Sequence, residues 1–463
     1  MREDARESRI RWAGSLALLA SCIVASGSVS LLLGQDVNWD LKNYHFYGPY
    51  AFLHGRLGWD VAPAQVQSYL NPVVDLPFYF FATAIPSARV VAFLMAASTG
   101  VAVFFLVRIL LSSFRTSDRR DGWVRFAAAL AIGVTGAAGV STIGSTMGEW
   151  PSVAMLLAAI YVVLRSDTVS RARLFAAGAL VGAGAGLKPT YVIYGAAFFV
   201  AIFALIPKGS RVRDAATYSG AALLGFAATT GFWCATLQRH LGSPVFPILN
   251  GVVKSPFWEP ISLRDVRFLP RTLGQAIAYP FLFARKSHLV AEVSFVDYRI
   301  AALFVLAVLC GANWMVRRGR AQGETIGAEL RARRFLIVFS AVAYVAWLVS
   351  FGIYRYLVPL EILSGLLIVS GVVFLAGNGA MSRFAVLAAT VAIVASTRPM
   401  NWGRKPFDGA FFQVSVPDLS QALVLIASSN PVSSDPVSYL IPFFPEETRF
   451  ISPSNNFLRL GQR

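Results

Sequence analysis

Apolar residues along this chain do not alternate with polar ones. They come in blocks separated by short polar connections, and blocks of about 17–25 residues are what a helix needs to cross a bilayer. Eleven blocks read as spans, near 12–33, 86–112, 124–143, 150–165, 172–187, 190–206, 215–236, 299–316, 334–352, 356–376 and 383–397. The first begins after a charged start, and its "LASC" ending at Cys22 looks like a lipoprotein cleavage site. The apolar run continues to Leu33, so a membrane span is the better reading. Residues 72–85, "PVVDLPFYFFATAI", are too short and too proline-broken to cross. They are expected to dip into the outer leaflet or lie at its interface.

Charge orients the blocks. With the amino terminus in the cytoplasm, the inner connections become "SSFRTSDRRDGW", "RSDTVSRAR", "PKGSRVRD", "RRGRAQGETIGAELRARR" and "GNGAMSR". Every one is basic, which is the positive-inside pattern. An odd number of spans then places the carboxy terminus outside. The expected fold class is an all-α polytopic membrane protein with about eleven transmembrane helices. The expected location is a bacterial inner membrane, with the amino terminus cytoplasmic and the carboxy terminus periplasmic.

Three larger pieces fall outside: the loop 34–85, the loop 237–298 and the tail 398–463. The domain organisation expected is a membrane unit over 1–397 and an outer tail over 398–463. In the tail, "ALVLIAS" reads as a strand and "SNPVSSDP" as a turn, so a small α/β-like folded appendage is expected.

Composition agrees with the pattern. Of 463 residues, 56% are hydrophobic and 14% charged, with a mean hydropathy of +0.59, whereas soluble chains carry about a quarter charged residues. The net charge of +17 does not point to nucleic acid, because the basic residues sit mainly between apolar blocks. The expected partners are membrane lipids. Cys22, Cys234 and Cys310 all lie in apolar segments, so neither a disulfide framework nor a metal quartet can be read from them.

Against this background the stretch "QDVNWDLKNYHFYGPYAFLHGR", residues 35–56, stands out. Asp36, Asp40, Tyr44 and Tyr47 are spaced four, four and three, which on a helix puts them on one face. Gly48-Pro49 should interrupt that helix, giving an amphipathic hairpin at the outer membrane surface. The aromatic residues suit interface anchoring. The carboxylates do not, since a charge at that depth is costly to keep unpaired.

Other polar groups collect on the same side. Glu149 lies at the outer end of the fourth span and Lys188 at the turn between the fifth and sixth. Arg239 and His240 follow the seventh, Arg355 lies between the ninth and tenth, and Glu361 sits deeper. Glu149 with Lys188 suits a buried structural pair as well as a site. Lys188, Arg355 and Arg239 are placed to hold a phosphate at headgroup level, lysine as a point charge and arginine through paired N–H groups. Lys254, Arg264, Arg267, Arg271, Arg285 and Lys286 in the loop 237–298 suit anionic lipid headgroups. No phosphate-binding P-loop, H-E-x-x-H or G-x-S-x-G motif occurs. "GAGAGLK" lies inside a span, where small residues let helices approach closely.

Four stretches, "DLKNYHFYGPYAFLHG", "GLKPT", "SPVFPILN" and "YRYLVPLE", together with the hydropathy profile, resemble the integral-membrane glycosyltransferases of the C superfamily. The likeness covers most of the chain to about residue 397. It implies transfer of a sugar from a polyprenyl-phosphate donor to an extracytoplasmic glycan, glycolipid or protein acceptor. It also implies an acidic catalytic base in the first outer loop, four positions before an aromatic. Asp40, four before Tyr44, matches, and Asp36 is second choice. Many members have adjacent Asp-Glu there, where this chain has Asp40-Leu41. That departure leaves open whether one carboxylate suffices or Asp36 supplies the second; it weakens the argument for a bound metal and leaves a divalent cation open.

The chemistry suits a carboxylate, which can take the proton of a hydroxyl as its oxygen attacks the anomeric carbon. A lipid phosphate already leaves well, so cations replace the acid that glycosidases need. Tyr44, His45, Glu149 and His240 are candidates to assist. The competing expectation is a transporter or flippase for lipid-linked sugars. That function calls for repeat symmetry and charged or broken helices at the bilayer midplane, whereas here the polar groups gather at the outer ends of spans.

Overall fold

The computed structural model describes residues 2–114, 118–166, 168–317, 328–427 and 435–453. Parts of three basic connections (115–117, 167 and 318–327) and most of the "SNPVSSDP" turn lie outside the described residues. Of the described residues, 67% are helical. The first apolar block forms α1 (Arg2–Leu33), and the loop after it carries α2 (Tyr47–Leu53) and α3 (Leu76–Ala84). The second block is split into α4 (Ala88–Met95) and α5 (Ala97–Ser113), the third into α6 (Arg119–Val134) and α7 (Ala137–Ser141). Next come α8 (Glu149–Leu164), α9 (Arg171–Leu187), α10 (Val192–Ala201) and α11 (Arg211–Leu241). After α12 (Leu273–Phe283) in the second large loop follow α13 (Arg299–Arg317), α14 (Ala328–Ser350), α15 (Val358–Ala376) and α16 (Ala380–Ser396). In the tail, β1 (Leu423–Leu425) and β2 (Arg449–Ile451) pair in parallel.

Among the described residues, six helical segments are long and apolar enough to cross a membrane: Trp12–Leu33, Ala88–Ser113, Lys208–Leu241, Arg299–Val316, Leu330–Ser350 and Tyr354–Ala376. Eleven are not reached on that measure. Glu149–Leu164, Pro189–Ala204 and Ala380–Ser396 are apolar but shorter. The 124–143 block breaks between α6 and α7, and carboxylates make the break tolerable. Asp297 accepts from the amide of Ala137, and Glu361 accepts from those of Ala138 and Gly139. The first amides of α7 therefore have acceptors although they are buried.

α15 is the central helix, with Leu363, Ile368 and Val369 buried against its neighbours. α1, α11 and α13 are peripheral and turn Leu32, Leu223 and Val308 outward. Apolar surface on that scale is what a lipid environment tolerates and water does not. Gly178, Gly182 and Gly186, one turn apart on α9, lie directly against the backbone of α11. A Cβ on Gly182 would collide with the Ala222 carbonyl, so the small residues of "GAGAGLK" serve close helix packing.

The first large loop departs from the expected surface hairpin. Gly34 adopts φ +92°, in the left-handed region, and Gln35 pairs in antiparallel fashion with Lys405 of the tail. Helix resumes only at Trp39, so Asp36 lies outside it and does not share a helical face with Asp40. Residues Leu41–His45 form a single π-helical turn. α2 runs through Gly48-Pro49 unbroken, because a proline in the first turn of a helix forfeits no internal hydrogen bond.

The loop is also covered. Leu41 and Phe46 pack with Phe78 and Phe411, while Tyr47 and Tyr50 pack with Ile441 and Phe450. The tail is thus the second half of one layer with the first loop, rather than an appendage. Arg56 pins the two halves. It pairs with Asp60 at 2.6 Å and donates to the carbonyls of Glu446 (2.8 Å) and Thr448 (2.6 Å). Removing one partner of such a buried pair leaves the other charge uncompensated. Arg56→Ala should therefore cost about 3–5 kcal/mol and free the tail to proteolysis. Unchanged melting and protease resistance in detergent would argue against the clamp.

Candidate functional site

Four segments distant in sequence bring their charges together at one end of the bundle. Asp40 stands at the start of the π-helical turn, seven residues after α1 ends, and Lys188 caps the end of α9. Glu149 is the first residue of α8, and Arg355 lies in the 3-10 turn Tyr354–Leu357 that leads into α15. Their contacts run in series. Arg355 Nη1 donates to Asp40 Oδ2 at 2.8 Å, and its Nε faces Glu149 Oε1 at 3.9 Å. Lys188 Nζ donates to the same Glu149 oxygen at 2.5 Å and to the Met147 carbonyl. Glu149 is fully enclosed, whereas Asp40, Arg355 and Lys188 keep 15–17% of their side chains open.

Aromatic rings wall the cluster. Lys188 Nζ lies 5.6 Å and the Arg355 guanidinium 5.4 Å from the Tyr356 ring centroid. Trp402 of the tail meets the same guanidinium at 5.7 Å. Polar capacity is left over inside. Arg355 Nε, Glu149 Oε2, Tyr191 Oη, Trp402 Nε1 and His45 Nε2 are buried and make no hydrogen bond among the described residues. Native proteins satisfy nearly all such atoms, so these are the groups to which a polar guest would bond.

The charges set protonation. Burial alone would raise the Asp40 carboxyl, but Arg355, His45 and Lys188 together hold it below its ordinary 3.8. Burial draws the Lys188 ammonium below its ordinary 10.5, with Glu149 opposing. Tyr44 is pushed well above 10.0, first by burial and then by Asp40, and stays a neutral phenol. The cluster thus holds an ionised carboxylate beside a guanidinium at neutral pH.

The residues singled out from the sequence separate into two groups. Asp40, Arg355, Lys188 and Glu149 are brought together, and Tyr44 and His45 adjoin them, their rings 4.1 Å apart. Asp36 is not brought to Arg355. Its carboxylate accepts from Thr146 N (2.8 Å), Thr146 Oγ1 (3.0 Å) and Asn38, and so anchors the turn that delivers Met147 and Glu149. Arg239 and His240 lie exposed in the last turn of α11, His240 beside Gly58, away from the ion pairs.

The sequence reading missed Asp75, Met147, Tyr356 and Trp402. Asp75 Oδ1 holds His45 Nδ1 at 2.7 Å, and burial lifts its carboxyl above 3.8 despite the imidazole. As the one charge in "PVVDLPFYFF" it carried the signal of a lone carboxylate in an apolar run. Among the described residues no three His, Cys, Asp or Glu side chains form a metal-binding group.

The arginines that open α6, α9, α11 and α16 lie at the far end of the bundle, where Arg383 meets Asp121 and Arg171 meets Asp214. No family model, curated protein or solved structure matches the chain.

A carboxyl whose folded pKa is depressed contributes stability above its unfolded value and loses it as pH falls through the folded one. The melting-temperature gap between the wild type and Asp40→Asn should therefore be widest above about pH 4 and close in more acidic buffer. A gap that stays constant with pH would show that the Asp40 charge contributes nothing.

Proposed function

We propose that this chain is a membrane glycosyltransferase that moves a sugar from a polyprenyl-phosphate donor to an extracytoplasmic acceptor. The observation that carries the reading is the cluster itself: an ionised, partly open Asp40 within 2.8 Å of Arg355, with Lys188 linked through Glu149. A base and two phosphate-binding cations at one end of an apolar bundle suit chemistry on a lipid headgroup. In this reading α8, α10 and α16, with α9 and the α6–α7 pair, complete eleven crossings, and the arginine-rich end faces the cytoplasm. The cluster and the tail then share the opposite face.

The roles follow from the geometry. Asp40 takes the proton of the acceptor hydroxyl as its oxygen attacks the anomeric carbon. The bond from that carbon to the phosphate oxygen breaks, and the departing pair stays on the lipid phosphate. Arg355 and Lys188 offset the charge that develops there. The hydrogen bonds of Arg355 among the described residues leave from Nη1 and its Nε faces Glu149, which leaves Nη2 to engage a phosphate. Glu149 sets the spacing of the two cations. A single displacement of this kind inverts the anomeric centre.

Mass spectrometry of cell-envelope glycans tests the reading. Asp40→Asn should abolish the modification while expression and membrane insertion persist, and near-normal transfer by that variant would remove Asp40 as base. Lys188→Ala and Arg355→Ala should each raise the donor KM by roughly ten- to a hundredfold, the loss expected for a charged hydrogen bond. Unchanged donor kinetics in both would remove the phosphate assignment.

A further inference from the structure

We propose that His45 and Asp75 form a proton-accepting dyad that receives, from Asp40, the proton taken off the acceptor hydroxyl. The proposal rests on the glycosyltransferase reading and extends the same site. Asp75, from the 3-10 turn Val73–Asp75, holds His45 Nδ1 at 2.7 Å, and both side chains are at least 95% buried. A carboxylate on Nδ1–H leaves the lone pair on Nε2. That Nε2 is buried and bonded to nothing among the described residues. A structural clamp has no use for a buried acceptor without a donor, which carries a desolvation cost. A proton acceptor requires one.

Backbone geometry supplies the second observation. Asp40 precedes the π-helical turn and His45 ends it. In an α-helix, five positions rotate a side chain by a net of about 140° at 100° per residue. The wider π-helical turn, with its i→i+5 hydrogen bonds, rotates less per residue and brings position 45 nearer to the side of position 40. His45 and Asp40 also feel each other electrostatically. The other charged and titratable groups around them are Tyr44 on the same turn, Asp75, and Lys188 and Arg355 from the helix ends.

The chemistry explains why two stations are needed. Asp40 is ionised beside Arg355, so it binds a proton weakly and releases it readily. The proton passes from the acceptor oxygen to Asp40 and then to His45 Nε2, and the imidazolium is balanced by the Asp75 carboxylate. Meanwhile the new C–O glycosidic bond forms, and the leaving pair remains on the lipid phosphate. The dyad loses its proton to solvent on product release, restoring the starting state.

Asp75→Asn in the full-length chain is the test, because the amide keeps the shape of the carboxylate. The amide donates to Nδ1, moves the imidazole proton to Nε2 and thereby removes the acceptor. Native membranes supplied with sugar-labelled polyprenyl-phosphoryl hexose or pentose should show transfer slowed about 10²–10⁴-fold. The donor KM should stay within roughly twofold. The acid limb of kcat/KM against pH should become shallower. His45→Gln should reproduce the loss.

Near-normal transfer by Asp75→Asn, with Asp40→Asn inactive, would overturn the dyad and leave the glycosyltransferase reading standing. A loss by the same factor at every pH would likewise reduce the pair to a clamp. Normal transfer by Asp40→Asn would overturn both.

Discussion

Glu149 has no side-chain surface open to solvent, and a carboxylate in that position is kept by the cations around it. Lys188 and Arg355 approach it from two different helix ends, and Arg355 reaches onward to Asp40. The ion pairs are therefore joints as well as chemistry. α8 begins where α9 ends because Glu149 and Lys188 meet, and the turn into α15 comes to the same place because Arg355 does. None of the four charges can be removed without leaving another exposed to a poor environment. Site geometry and bundle packing are one problem here.

Much of this was legible in the order of residues, and the part that was not has a physical cause. Long apolar blocks declare themselves, and so does the glycine spacing of α9, because a helix interface needs small residues at one-turn intervals. Lone charges at block ends pointed to Glu149, Lys188 and Arg355. The helical face joining Asp36 to Asp40 failed because Gly34 turns the backbone aside and the tail pairs with Gln35, a partner some 370 residues away. A π-helical turn has no local signature, so the relation of His45 to Asp40 was hidden as well. The count of long spans was less legible, because α8, α10 and α16 are apolar but short and the apolar pattern does not show where a helix will stop.

Covering the first loop was the other long-range decision. Tyr47, Tyr50 and Phe46 look like interface anchors in isolation, yet the tail turns them into a core. Asp60 illustrates the coupling. It accepts from Arg56, from the Tyr47 hydroxyl and from the amide of Phe450, so one carboxylate ties the loop to the strand that ends the layer. Trp402, further back in the same tail, stands over Arg355 and closes one wall of the charged cluster.

This layering has a consequence for biosynthesis. Val61 bridges to Ile451, so the sheet edge beside the first loop cannot form until the ribosome has passed residue 451. Until then Phe46, Tyr47 and Tyr50 are bare, and the early loop is a natural substrate for chaperones and quality-control proteases. A chain cut short before the tail would leave Tyr47 and Tyr50 without Ile441 and Phe450, the partners that bury them.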